Sequence, residues 1–111
     1  MNDIEYQVKN LVDSIKQSNE YNQYRRLYRE IEKNEKLFTR LNEFRMRSFH
    51  IQLARDENSL SICKSLRDEY QDILMISSVQ EFLIAEQKVN ATLRYMNHYI
   101  WDNIELNIDF I

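Results

Sequence analysis

Residues 20–53, EYNQYRRLYREIEKNEKLFTRLNEFRMRSFHIQL, decide the fold of this chain because no residue in the stretch is a strong helix breaker. The whole sequence of 111 residues contains no glycine and no proline. Glycine supplies the positive φ angles of tight turns and helix C-caps, and proline interrupts helix interiors. A chain that lacks both favours a few long helices, and it excludes most sheet folds and all phosphate loops built on glycine.

Apolar residues recur at the spacing of one helical face in four segments, which predicts an all-α domain of four main helices. The length fits a single domain, residues 1–111. The predicted helices cover about residues 3–17, 20–53, 59–75 and 79–102. In the first of them, one stripe contains Ile4, Val8, Leu11, Val12 and Ile15.

Polar residues mark the expected boundaries between these helices. Ser18 or Asn19 offers an N-cap to the second helix, and residues 56–59, DENS, form the best turn candidate. Ser78 is followed three residues later by Glu81, which is the spacing of a capping box. This pattern predicts that the fourth helix begins there.

The predicted length of the second helix suggests a homodimer that completes the helical bundle. A helix over residues 20–53 measures ~50 Å, whereas a compact domain of this size measures roughly 35 Å across. The overhanging turns would expose apolar groups, and a two-fold dimer is the commonest way to bury them. A bend near Asn34 or Asn42 is the alternative. The candidate interface contains Phe38, Leu41, Phe44, Phe49, Ile51, Trp101, Ile104, Leu106, Ile108 and Phe110.

The last residues change period, because apolar and polar side chains alternate from Ile104 onward. Alternation favours an extended segment over a helix. We therefore predict an extended tail over residues 103–111. It would dock on a helical surface near the first helix, in its own dimer or on a partner.

Basic residues concentrate in the second predicted helix, although the net charge of the chain is −3. Five of them fall on one arc of a helical wheel. They are Arg25, Arg29, Lys36, Arg40 and Arg47. The arc could follow the phosphates of RNA, but Glu32 and Glu43 lie on the same arc. The alternative is a solvated helix face whose charges pair within the helix or across a dimer.

Residues with catalytic or metal-binding chemistry are few and scattered. His50 and His98 belong to no recognised ligand or catalytic spacing. The single cysteine, Cys63, lies on an apolar stripe, which is typical of a buried structural cysteine. We predict no enzyme activity, no metal site and no cofactor.

Three tyrosines, Tyr21, Tyr24 and Tyr28, share one face of the second helix. Rings on one face can stack on single-stranded nucleic acid. The alternative, which we prefer, is that these amphipathic rings cover the edge of the core and keep their hydroxyl groups in water.

Residues 34–44, NEKLFTRLNEF, and 79–90, VQEFLIAEQKVN, resemble two characteristic stretches of the YlbF/YmcA/YheA family, and residues 18–21 match its N-terminal pattern. The resemblance spans nearly the whole chain and implies a small, cytoplasmic, helical protein. Members of this family are non-enzymatic partners that influence competence, sporulation and biofilm formation, through a complex that assists RNA processing. Some hold iron–sulfur clusters through cysteines shared between subunits. This chain departs from that pattern, because Cys63 stands alone.

The sequence and the resemblance together favour a regulatory adaptor that acts by protein–protein contact. Its expected partners are a second copy of the chain and other regulatory proteins of the family or an RNA-processing complex. No apolar run approaches the ~18 residues of a membrane span, and the polar N-terminus is unlike a secretory signal, so we expect a cytoplasmic protein. Two alternatives stay open: an RNA-binding accessory protein that uses the basic arc, and a structural helical spacer.

Overall fold

The computed structural model describes residues 2–54 and 57–105, and every regular element within those residues is a helix. The all-α prediction is therefore confirmed, but the described residues form more helices than the four expected. They are α1 (Asp3–Lys16), α2 (Asn19–Glu32), α3 (Glu35–Ala54), α4 (Ser59–Glu69), α5 (Gln71–Leu74) and α6 (Ser77–Asn103).

The predicted long helix over residues 20–53 is wrong, because α2 and α3 are separated at Lys33 and Asn34. The backbone amide of Asn34 donates to the carbonyl of Ile31 at 3.0 Å, which closes the last turn of α2. The side-chain Oδ1 of Asn34 accepts a hydrogen bond from the amide of Leu37 at 3.2 Å and so caps α3. Asparagine offers its neighbours this local alternative to the helical hydrogen bond. The bend at Asn34 removes the overhang on which the length argument for a dimer rested.

The start of α2 agrees with the prediction, whereas the third predicted helix is interrupted. Ser18 caps α2 by accepting a hydrogen bond from the amide of Tyr21 at 3.3 Å. Tyr70, with φ −106° and ψ 17°, separates α4 from α5, so residues 59–75 do not form one helix. Glu57 and Asn58 form a turn before α4, as expected, and Asp56 lies outside the described residues.

The capping box predicted at Ser78 is not formed. Helix α6 begins at Ser77 and is preceded by Ile76, which makes no side-chain cap, so Ser78 already lies inside the first turn. Gln80 contacts the preceding turn instead, since its Nε2 donates to the carbonyl of Leu74 at 2.9 Å. The sequence pattern located this helix start to within two residues but misidentified its cap.

The core lies where α2, α3 and α6 meet around Phe82. Its fully buried members include Leu27, Leu41 and Val79. The ring of Tyr24 stacks on that of Phe82 with 5.2 Å between centroids. Ten of the described residues form this buried cluster: Leu27, Ile31, Leu41, Phe44, Leu66, Tyr70, Ile73, Val79, Phe82 and Ala85. Tyr24 and Tyr28 are partly buried and pack against this cluster, so these two rings cover the edge of the core as predicted.

Tyr70 connects α3 to the α4–α5 pair through its ring and its hydroxyl group. The side chain is 3% exposed and meets the ring of Phe44 edge-on at 5.6 Å. Two guanidinium groups lie over its ring, that of Arg40 at 4.4 Å from the centroid and that of Arg47 at 5.5 Å. The hydroxyl group donates to a carboxylate oxygen of Glu43 at 3.4 Å. The break between α4 and α5 is thus held in place by contacts with α3.

Ion pairs reinforce the same contact. Arg47 Nη1 donates to Oε1 of Glu69 at 2.8 Å, and Arg40 Nη2 donates to Oδ1 of Asp72 at 2.6 Å. The hydrogen bond from Arg47 holds the pKa of Glu69 below its usual range, and the same bond raises the pKa of Arg47. Because these side chains remain well exposed, each pair contributes little to stability by itself.

Helix α1 stands apart from this core and buries none of its residues. The chain has a radius of gyration of 17.7 Å, whereas a compact domain of about 100 residues has one near 13 Å. Its dimensions of 47 × 36 × 20 Å describe an elongated molecule. Helix α1 thus has no residue buried against the rest of the described chain.

We predict that Phe82→Ala destabilises the fold by about 3–5 kcal/mol, because removal of this large buried ring would leave a cavity that the neighbouring side chains cannot fill. Urea denaturation followed by circular dichroism measures the change. The control is Phe49→Ala, since Phe49 is 57% exposed and should change stability far less. Equal losses in the two variants would show that Phe82 is not central to the core.

We also predict that Glu69→Gln lowers the melting temperature slightly at pH 7, and that this loss shrinks as the pH falls. A carboxyl group whose pKa is lowered in the folded protein stabilises it above the unfolded pKa, which is about 4.3. That stabilisation disappears as the pH falls through the folded pKa. Thermal melts between pH 3 and 7 test this, with Glu81→Gln, an exposed position on α6, as the control. A gap between wild type and Glu69→Gln that does not narrow as the pH is lowered would contradict the assignment.

Candidate interaction surfaces

The predicted basic arc does not form one continuous surface. Arg40 and Arg47 bind carboxylates of α4 and α5 and hold those helices to α3. Arg25 and Arg29 lie on α2, and exposed Lys36 lies beyond the bend at Asn34. The helical wheel that grouped these five residues assumes one unbroken helix. The bend at Asn34 separates the residues of α2 from those of α3, and the ion pairs occupy Arg40 and Arg47.

Two members of the arc instead join a different group of cations. Arg25 and Arg29 line an open concavity of about 670 Å³ along α2, beside the end of α1. Its other lining residues are Lys16, Tyr21, Asn22, Arg26, Glu30 and Lys33. We call this surface the α1–α2 concavity. Sequence reasoning did not single out Lys16, Arg26 or Lys33, although most of these residues recur three or four positions apart along α2.

The apolar stripe of α1 is exposed, as its lack of buried residues requires. Ile4 is 73% exposed and Val8 is 52% exposed. Leu11 and Val12 are also exposed, and Ile15 is half-buried. We call Ile4, Val8, Leu11 and Ile15 the α1 seam, since they are separated by four, three and four residues. That spacing is typical of the contact line between two packed helices.

The C-terminal half of α6 carries a second stripe with the same spacing. Ala85 is the last buried residue of this helix, and the residues after it are exposed or half-buried. The stripe consists of Val89, Leu93, Met96 and Ile100, which we call the α6 seam. Leu93 and Ile100 are exposed large apolar side chains. The α1 seam and the α6 seam thus have equal spacing, and the side chains of both are only partly buried by the described residues.

A third apolar surface lies at the C-terminal end of α3. Met46, Phe49 and Leu53 lie three and four residues apart on this helix, and all three are more than half exposed. Leu60, near the start of α4, is 87% exposed. We call these four residues the α3–α4 patch. Exposed apolar groups in such a cluster are typical of interaction sites.

The structure places the residues of the predicted dimer interface in different environments. Leu41 and Phe44 are buried, and Phe38 and Ile51 pack against the same core, because the bend at Asn34 places α3 against the rest of the chain. Phe49, Trp101 and Ile104 are exposed. Leu106, Ile108 and Phe110 lie outside the described residues. Leu41 and Phe44 therefore have a sufficient explanation in the fold of a single chain.

The predicted tail begins later than expected. Helix α6 continues to Asn103, and the amide of Ile104 still donates to the carbonyl of Ile100 at 3.0 Å. Glu105 has a φ of 57°, the left-handed conformation that commonly follows a helix. Residues 106–111, which carry most of the predicted alternation, lie outside the described part of the chain.

The cysteine and histidines show no arrangement for chemistry in the described residues. Cys63 is partly exposed and forms no disulfide, whereas we expected it to be buried. Leu66, one turn later on α4, occupies the buried position. The ring of His50 lies beside Phe49 with 6.1 Å between centroids. Within residues 2–54 and 57–105, no three His, Cys, Asp or Glu side chains are grouped as metal ligands would be.

No helix in the same residues combines the length and the apolar character that crossing a bilayer requires.

Comparison with known proteins agrees with the sequence resemblance. The chain is 30% identical over 106 residues to the UPF0342 protein of Caldicellulosiruptor bescii. This alignment covers 93% of this chain and 87% of the relative. No solved structure matches the chain significantly. The family model described as control of competence regulator ComK, YlbF/YmcA, matches residues 4–105. Since that match includes both apolar seams and nearly all of the described residues, the chain belongs to the YlbF/YmcA family.

Proposed function

We propose that this chain is a non-enzymatic regulatory adaptor that acts in the cytoplasm as a homodimer, through protein–protein contacts. The observation that carries the proposal is the α1 helix, which has a full apolar stripe and no buried residue. A helix of this kind gains little stability from its own chain, because most helical stability in proteins comes from packing an amphipathic face. The family description, control of competence regulator ComK, supports the regulatory part of the proposal.

The α1 seam and the α6 seam have similar lengths and the same residue spacing. Helix α1 has 14 residues and is therefore about 21 Å long. The part of α6 from Val89 to Asn103 has a similar length, about 22 Å. In the proposed dimer, the α1 seam of one protomer packs on the α6 seam of its partner, and the reverse contact follows from two-fold symmetry.

The α3–α4 patch is the proposed surface for a second protein. It lies on different helices from the two seams, so a dimer formed through the seams leaves Met46, Phe49 and Leu53 accessible. An adaptor needs such a separate surface in order to hold a partner while it stays assembled. The expected partners are regulatory proteins of the same family or components of an RNA-processing complex.

We predict that light scattering gives a mass of about twice 13.6 kDa at micromolar concentration. Val8→Asp or Leu93→Asp should convert the protein to a folded monomer, because a carboxylate in the seam contact would be buried without a partner. Circular dichroism confirms that each variant retains its helices.

Phe49→Asp is the matched control, because Phe49 is as exposed as Val8 but lies in the α3–α4 patch. It should remain dimeric. A wild-type monomer at all concentrations would disprove the dimer. Dissociation by Phe49→Asp alone would move the interface to α3, as the sequence argument had placed it.

We predict that the two surfaces can be separated by mutation in the native host. Affinity purification followed by mass spectrometry should recover a regulatory partner with wild type and lose it with Phe49→Asp combined with Leu53→Asp. The double variant should still co-purify a differently tagged wild-type copy. If a partner is retained by the double variant and lost with Val8→Asp, the seams rather than the patch bind that partner.

A further inference from the structure

The α1–α2 concavity concentrates positive charge on a chain whose net charge is −3. Among the described residues, five cations line it and one carboxylate, that of Glu30. The cations are Lys16, Arg25, Arg26, Arg29 and Lys33. Like charges gathered in one hollow repel one another, and a bound polyanion relieves that repulsion and releases its own counterions.

Little of this charge is neutralised within the described part of the chain. Arg26 lies 3.8 Å from Glu30 in an i,i+4 pair whose side chains are both more than half exposed, so the pair is weak. No carboxylate in residues 2–54 and 57–105 pairs with Lys16, Arg29 or Lys33. These cations contrast with Arg40 and Arg47 on α3, whose charges are used to hold α4 and α5.

The types of side chain indicate which anion would fit. Arginine presents a planar fork of donors that matches phosphate oxygens, and three of the five cations are arginines. The guanidinium of Arg25 lies 5.6 Å from the ring centroid of Tyr28, which restricts its orientation before any ligand binds. Tyr21 also lines the concavity and offers an aromatic ring on which a base can stack.

The shape of the surface favours a chain-like ligand over a small molecule. Small-molecule pockets usually enclose most of their ligand, whereas this concavity is open along α2. The cationic face from Asn22 to Lys33 is about 17 Å long, which is enough for a few successive phosphates. Grooves of this kind, with cations along the backbone path and an aromatic ring beside it, are typical of single-strand binding.

We propose that the α1–α2 concavity binds the phosphodiester backbone of single-stranded nucleic acid, with Lys16, Arg25, Arg26, Arg29 and Lys33 on the phosphates and Tyr21 beneath a base. This site differs from the basic arc because it omits Lys36, Arg40 and Arg47 and includes the end of α1. Its residues are separate from those of the seams and of the α3–α4 patch.

Fluorescence anisotropy with the full-length protein and a labelled 12-nucleotide RNA tests the proposal. We expect saturable binding at 50 mM salt. Affinity should fall about 20-fold by 200 mM salt if three phosphates are neutralised on a single strand. Arg25→Glu combined with Arg29→Glu should abolish binding, and Tyr21→Ala should weaken it at every salt concentration. A DNA strand of the same sequence shows whether the 2′-hydroxyl group contributes.

The matched control is Arg67→Glu combined with Lys88→Glu, which changes the net charge equally at exposed positions on α4 and α6. It should bind RNA within about threefold of wild type. The proposal is overturned if no saturable binding occurs at 50 mM salt, or if the control variant loses as much affinity as the concavity variant. It is also overturned if poly-glutamate of equal charge binds more tightly than RNA, because the surface would then recognise an acidic protein segment.

Discussion

The fold depends on the break between α2 and α3 at Asn34, in a chain that has no glycine or proline to end a helix. The Oδ1 of Asn34 accepts from the amide of Leu37, and its own amide closes the final turn of α2 on the carbonyl of Ile31. Without this break, α2 and α3 would continue as one rod and carry Leu41 and Phe44 away from Phe82. With it, all three residues enter one core.

The same bend determines which surfaces remain available for partners. The apolar residues of α3 near the bend are used inside the chain, and so are the charges of Arg40 and Arg47. Many of the apolar side chains that remain exposed lie on α1, on the C-terminal half of α6 and at the far end of α3. The elongated shape of the molecule, 47 × 36 × 20 Å, follows from a small core with helices that extend beyond it.

Sequence reasoning predicted the helical class, the Ser18 cap and the family, because periodicity, local capping chemistry and family-specific stretches are all readable along the chain. It gave a bend near Asn34 or Asn42 only as the alternative to one long helix, because asparagine is compatible with a helix interior and tertiary packing decides whether it caps. The Tyr70 break has the same origin, since its ring is held by Phe44 and two arginines distant in sequence. The structure divides the basic arc, because a helical wheel cannot show which cations already have carboxylates on neighbouring helices.

Helix α1 contributes both to the proposed dimer contact, through its seam, and to the α1–α2 concavity, through Lys16. Its seam faces the proposed dimer contact, while Lys16 in its last turn lines the α1–α2 concavity. Apolar packing is not weakened by salt as phosphate binding is, since phosphate binding falls steeply as the salt concentration rises. Because the seam would fix the position of α1, self-association would also fix Lys16 relative to the cations of α2. The affinity of the concavity for a polyanion should therefore depend on assembly, although no residue belongs to both surfaces.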